Sequence, residues 1–347
     1  MRKYIFSCFL VIFILATMFS LSVSGAEKVD ISDRFFTISD GGVSDEAEPY
    51  SKEAIEKAIE LGFDAVSVKV GEDGLKTEDL PSILSLVEED FCIILDCTKE
   101  NLNEVYKIAK DYNNNYIRVR DFGAKKLISW SQAMSNKVQV IPSYDGNVIF
   151  SAIGSYNSAN DNQVNFCEFT SKNRYSIIFS DFFTKRFNGT WALLSFADKD
   201  LSGQRDDGIH GWEDAVSMGY KAIETDNEKE FTKYLSLIDE SYNRLESVYN
   251  KAKETDLAPY SSSSTKSFKK YLKQAEAILT SDKASSQLQI NECIDGIEDS
   301  YSLFELADGT DESKTFSVTP VKIFWICFAI ALFVSSQVYL HRKTKKS

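Results

Sequence analysis

Histidine is nearly absent from this chain: there are two in 347 residues, His210 and His341. Acid–base catalysis needs positioned groups that titrate near the working pH, and histidine is the side chain that does so unperturbed. Chemistry built on a histidine pair therefore has little to draw on. Metal-type cysteine spacing is missing as well. Of six cysteines, Cys92, Cys97, Cys167 and Cys293 lie between the apolar ends, and none forms a CxxC or zinc pattern. Cys92 and Cys97 point to opposite faces of one predicted strand, so core thiols rather than a disulfide are expected. No GxGxxG turn offers a dinucleotide a phosphate cradle. The only basic run is RKTKK at 342–346 in a chain of formal net charge −13. That excludes the phosphate-neutralising surface that nucleic acid requires.

Apolar and aromatic residues, at 43% and 13%, are by contrast those of a packed protein rather than a disordered one. Both ends are strongly apolar. Residues 1–26, MRKYIFSCFLVIFILATMFSLSVSGA, carry Arg2 and Lys3, then an apolar stretch, then small residues at Ser24 and Ala26. This predicts a secretory signal cut before Glu27, with an uncleaved anchor as the alternative. Cys8 sits inside the apolar run, the wrong place for a lipoprotein cut. Near the other end, VKIFWICFAIALFVSSQVYL is long enough to span a bilayer, and His341 and the basic tail 341–347 follow it. The expected organisation is a signal (1–26), a large domain (27–234), a helical module (235–308), a linker (309–319), a transmembrane helix (320–340) and a cytoplasmic tail. The large N-terminal part is then extracellular, anchored in the cell membrane by a single pass.

From Phe35 to Tyr234, short apolar runs alternate with amphipathic stretches. The runs are FFTIS, AVSVKV, CIILD, YIRV, VQVIP, VNFCE, WALLSF and KAIE. Between them lie helical patterns such as SKEAIEKAIELG, with Ala54, Ile55, Ala58 and Ile59 on one face and Gly62 as the stop. Eight strands alternating with helices predict an α/β fold, a TIM (β/α)8 barrel; a doubly wound sheet is the alternative. Strand-end positions are where ligands bind in a barrel. Here they are Asp40, Lys69, Asp96, Arg118, Arg120, Glu168 and Glu224, some of which are expected to pair with each other.

The stretch EPYSKEAIEKAIELGFDAVSVKVGEDG (48–74) resembles the glycerophosphodiester phosphodiesterase family, in which it reads roughly PENT-x-AF-x-AI-x-GAD-x-IExDV-x-x-xDG. LKTEDLPSILSLVEEDFCIILDCT (75–98) is similar to that family's TLxExL helix and the strand ending in ExK. SMGYKAIETDNEKEFTKYL (217–235) is similar to its closing strand and helix. Residues 115–190 match only as a pattern. The resemblance implies a barrel that hydrolyses glycerophosphodiesters with a divalent metal and two histidines. Carried over position by position, the family's HRG becomes Asp40-Gly41-Gly42, its ExD becomes Ser67 and Lys69, and its ExK becomes Asp96 and Thr98. Only Asp96 keeps its chemistry, and the segment with the second histidine is missing. His341 lies across the membrane in this topology, and His210 reads as a loop or capping residue.

A catalytically degenerate barrel is therefore expected, with no confident catalytic residue, no metal and no cofactor. Asp40, Lys69, Asp96, Arg118 and Glu168 are the candidate ligand-binding residues, and the Lys69 ammonium is expected between Asp96 and Asp40 where the metal would sit, with extension to solvent along the strand end as the alternative. The alternative is an active phosphodiesterase using calcium or magnesium through a rearranged site; a purely structural module is a third reading. After residue 235 three apolar stripes at helical spacing follow: Leu235, Ile238, Tyr242, Leu245 and Val248; Phe268, Leu272, Ala275 and Ile278; and Ile290, Ile294, Ile297, Tyr301 and Phe304. They predict three antiparallel helices, and the stretch YSSSSTKSFKKYLKQAEAIL onwards resembles the FIVAR-type modules of bacterial surface proteins. The ligands these resemblances imply are a glycerol phosphate or a carbohydrate.

Overall fold

A computed structural model of the chain describes residues 35–43, 47–86, 91–146, 164–184, 190–281 and 284–307. The expected signal (1–26) and the expected membrane-spanning stretch (320–340) lie outside the described residues; among those described, no helix is long and apolar enough to cross a membrane.

All eight predicted runs form strands, and a ninth, β6, lies outside the predicted runs: β1 (Phe36–Asp40), β2 (Ala65–Lys69), β3 (Cys92–Asp96), β4 (Asn115–Arg118), β5 (Gln139–Ile141), β6 (Ser143–Asp145), β7 (Phe166–Thr170), β8 (Trp191–Ser195) and β9 (Ala222–Thr225). Every pairing is parallel, in the order β5-β4-β3-β2-β1-β9-β8-β7-β6. Only Pro142 separates β5 from β6. Proline has no N–H for the ladder, but its carbonyl still accepts from Glu168 N at 3.0 Å. β5 pairs with β4, and β6 pairs with β7. The interrupted strand is thus one stave touching both neighbours, and the sheet closes into a barrel of eight staves. The doubly wound alternative is excluded by this closure.

The connecting helices are α1 (Lys52–Glu60), α2 (Leu80–Leu84), α3 (Leu102–Ala109), α4 (Ala124–Ala133), α5 (Asp181–Thr184) and α6 (Ile209–Ser217). α1 shows why the sequence pattern works. Ser51 Oγ caps it by accepting from Ala54 N, and Ala54, Ile55 and Ala58 form its buried face. The β1–α1 connection passes so close to the helix that a Cβ on Gly42, at φ +81°, would lie 2.6 Å from the Ala54 carbonyl carbon. Two apolar clusters result. One lies between barrel and helices; the other fills the barrel with one residue from each stave, from Ile38, Ala65 and Ile94 round to Leu193 and Ala222.

Three further helices follow, α7 (Glu228–Lys253), α8 (Lys266–Leu279) and α9 (Gln287–Tyr301). The boundary expected at 234/235 falls inside α7. Its first turns bury Phe231 and Tyr234 against Trp212 of α6, while Ile238, Tyr242 and Leu245 further on are buried with the bundle. One amphipathic helix of 26 residues, about 39 Å long, serves both cores. Tyr301, expected in the third stripe's core, is 40% exposed, because α9 ends there. Glu213 of α6 caps α9, accepting from Gln287 N at 2.9 Å and Leu288 N at 3.3 Å, beside a Ser286–Gln289 capping box. Glu213→Ala is expected to lower stability by about 1–2 kcal/mol by removing this anionic cap, with Glu213→Gln losing less; urea unfolding checks it.

Candidate functional site

Side chains on a strand alternate between faces, and this rule builds the site. Two residues along each stave from the apolar ring, every inward position is polar. Asp40 lies beside Ser67, Asp96 beside Arg118, Ser143 beside Glu168, and Ser195 beside Glu224. Ser67, Arg118, Glu168, Ser195 and Glu224 are fully buried. The barrel is therefore apolar below and charged at its C-terminal mouth.

Arg118 is the centre of this layer. Its five N–H donors are all engaged. Nε and Nη2 form a bidentate pair with Asp96. Nη1 donates to Glu168 Oε1 at 3.1 Å and Glu224 Oε2 at 2.9 Å, and Nη2 also reaches Glu224 Oε1 at 2.6 Å. Arg120, one pleat higher and a third exposed, adds bonds to Glu168 at 2.8 Å, Glu224 at 3.2 Å and Asp96 at 3.4 Å. Burial alone would push the Glu168 and Glu224 carboxyls up; the two guanidinium groups outweigh it and hold both below the usual carboxylate range. Burial would likewise lower Arg118, but Asp96, Glu224 and Glu168 hold its proton more firmly than usual.

Asp40 behaves oppositely. Burial and the charge of Glu224 raise its carboxyl to about 7, against the opposing effects of the Ser67 hydrogen bond and Arg118. Its Oδ1 accepts from Ser67 Oγ at 2.9 Å; Oδ2 has no hydrogen-bond partner among the described residues. Tyr50 stands next to it with φ 65°, a left-handed conformation uncommon for a bulky side chain. Its ring covers Gly41, where a Cβ would lie 3.1 Å from Tyr50 Cε1. Burial and the charges of Asp40, Asp96 and Glu224 raise its phenol. Above this layer opens a cavity of about 440 Å³, lined among others by Asp40, Tyr50, Thr98, Arg120, Asp121 and Asp198.

The structure brings Asp40, Asp96, Arg118 and Glu168 into one layer, and engages the charges of the last three with one another. Lys69 is a correction. It also lines the cavity, but its ammonium lies 3.7 Å from Asp73 and is half-exposed, rather than between Asp96 and Asp40. Two guanidinium groups already occupy the space beside Asp96. The turn at 71–74 folds back onto Lys69, whose carbonyl accepts from Leu75 N at 2.8 Å, and so carries Asp73 within reach. Ser67 serves Asp40, and Thr98 forms a turn with Asn101, its N–H donating to Asn101 Oδ1 at 2.9 Å. His210 is exposed in the first turn of α6 and is not part of the cavity lining. The sequence signal for the network was the RVR run, since Arg118 and Arg120 share a strand face; nothing in the pattern pointed to Tyr50.

A divalent ion does not fit this layer. Asp96, Glu168 and Glu224 already accept from guanidinium groups, and a cation occupies their centre. Among the described residues no group of three or more His, Cys, Asp or Glu could hold a metal.

No family model matches the chain, and no curated protein is similar to it in sequence. Among solved structures, a glycerophosphodiester phosphodiesterase from Agrobacterium tumefaciens is similar at 10% identity, covering 57% of this chain and 98% of that one with a TM-score of 0.41. The corresponding enzyme from Thermotoga maritima gives 13%, 57%, 97% and 0.40. A tryptophan synthase from M. tuberculosis gives 9%, 59%, 88% and 0.44. The barrel itself rests on the strand pairing described above.

Proposed function

We propose that this chain is a membrane-anchored extracellular protein whose glycerophosphodiester phosphodiesterase-like barrel binds a small ligand at its mouth without metal-dependent hydrolysis. The observation that carries this reading is Arg118, whose five donors hold the carboxylates that would otherwise serve as metal ligands or bases. The apolar stretches at 1–26 and 320–340 support export and anchoring, and the three C-terminal helices would act as a FIVAR-like spacer between barrel and membrane.

The test is release of glycerol 3-phosphate from glycerophosphocholine with calcium, magnesium or manganese. No turnover is expected. A kcat on the order of 1–10³ s⁻¹ would overturn the reading. The competing reading is hydrolysis of glycerophosphodiesters or wall-linked glycerol phosphates through a rearranged site. It draws on Asp40, which a carboxyl near 7 makes a usable proton donor at neutral pH. It requires turnover in the same assay, abolished by Asp40→Asn.

A further inference from the structure

We infer that the mouth cavity is built for a small primary amine carrying hydroxyl groups, and not for a phosphate. This deepens the proposed binding role and rests on it. Three observations carry it. The first is the charge balance of the polar layer. Arg118 and Arg120 face Asp96, Glu168 and Glu224 in a direct network, leaving one negative charge in excess. Asp40 adds a fourth carboxyl to the same mouth. Buried carboxylates without a matching cation are costly, so an incoming positive charge is favoured and an oxyanion opposed.

The second is the set of groups left over for a ligand. No donor of Arg118 remains, and Arg120 is turned onto Glu168 and Glu224. The remaining lining groups are mostly carboxyl acceptors, with the Lys69 ammonium drawn aside to Asp73 at 3.7 Å. Asp40 Oδ2 has no partner among the described residues, nor do the carboxyl oxygens of Asp121 on the rim. Asp198 is also on the rim, with Oδ1 accepting from Asp200 N at 2.8 Å. An ammonium donates three hydrogen bonds and accepts none, which matches such a set.

The third is Tyr50. Its left-handed backbone holds the ring as a wall of the cavity, and its hydroxyl makes no hydrogen bond among the described residues. A ring face attracts a cation, and a free phenol serves a hydroxyl. In the layer below, the fully buried Ser195 Oγ lies near enough to Glu224 to favour its charged form, yet outside hydrogen-bond geometry with any described residue. At about 440 Å³ the cavity holds a molecule of sugar size.

The ammonium competes with the proton on Asp40, whose neighbours are Ser67, Tyr50, Asp96, Arg118 and Glu224. With that carboxyl at about 7, its ionised fraction rises about tenfold between pH 6 and pH 8. The experiment is isothermal titration calorimetry of the full chain in detergent with glucamine, whose amine stays protonated over this range. Sorbitol is the uncharged counterpart and glycerol 3-phosphate the anion. Glucamine is expected to bind about tenfold tighter at pH 8 than at pH 6, with no heat from the other two. Asp40→Asn should weaken binding and flatten the pH dependence. Should that variant misfold, Asp121→Asn with Asp198→Asn on the exposed rim should still weaken glucamine several-fold. Equal binding of sorbitol, binding of glycerol 3-phosphate, or no glucamine binding at millimolar concentration overturns the inference while leaving the non-hydrolytic reading standing. Turnover of glycerophosphocholine instead overturns that reading.

Discussion

Arg118→Met is expected to destabilise the barrel by about 3–5 kcal/mol, the cost of removing one partner from a buried charge network. Methionine roughly fills the space but leaves Asp96, Glu168 and Glu224 with only the partly exposed Arg120 against them. Glu168 and Glu224 are fully buried, so water cannot take the place of the lost guanidinium. Since domains are stable by only about 5–15 kcal/mol, this is a large fraction of the total, and the melting temperature should fall on the order of 10 °C. Two companion results are expected. Acidification should narrow the gap between variant and wild type, because protonation removes the stranded charges. Adding Glu168→Gln and Glu224→Gln to Arg118→Met should recover part of the loss, a non-additivity that distant sites would not show. Urea unfolding followed by circular dichroism measures all three. A loss below about 1 kcal/mol, the size of a surface ion pair, would mean that Arg118 does not hold the mouth together.

The folded protein should be most stable at mildly acidic pH, and its stability should decline between about pH 5 and pH 8. The sign follows from two opposed sets of carboxyls. Glu168 and Glu224 are held below the usual range in the fold, so their contribution is complete above the ordinary glutamate range and is lost as the pH falls below it. Asp40 and Asp207 are raised to about 7. Between the ordinary aspartate range and pH 7, the fold holds protons on them that the unfolded chain has released. Their contribution is therefore complete in acid and lost as the pH rises through 7. For Asp207 the cause is burial, then the neighbouring Asp226 carboxyl. These outweigh the hydrogen bonds it accepts from Trp212 Nε1 at 2.6 Å, Thr225 Oγ1 at 2.8 Å and Asp226 N at 2.9 Å.

Asp40 and Asp207 each represent on the order of a few kcal/mol at one pKa unit per 1.36 kcal/mol, reduced by their interaction with neighbouring charges. Relief of self-repulsion at net charge −13 acts in the same direction, so the diagnostic result is the variant. Asp40→Asn should flatten the decline from pH 5 to 8 without altering the loss in strong acid, as read by thermal melts across a pH series. A slope unchanged in Asp40→Asn would place the titration elsewhere.

Much of this architecture was legible along the chain because it is periodic. Eight apolar runs with helical patterns between them predict the barrel, and strand alternation predicts that Asp40, Asp96, Arg118, Glu168 and Glu224 meet at its mouth. Of the closing stave only the first half was visible, as VQVIP; β6 beyond Pro142, which pairs with β7, carried no apolar run. The single helix α7 was hidden, because a stripe that turns from one core to another looks like the start of a new module. Which cation sits among the carboxylates was hidden too. Lys69 and Arg118 both belong to inward-facing strand positions, and local pattern assigns them the same direction. Tertiary distance separates them. Arg118 reaches Glu224, 106 residues away, across the barrel, while Lys69 turns to Asp73 in its own loop. Backbone periodicity is a local property, set residue by residue, and so the sequence by itself determined the staves and the direction of their side chains. Charge pairing depends on distances through a closed, water-poor interior, and these exist only once all eight staves have met.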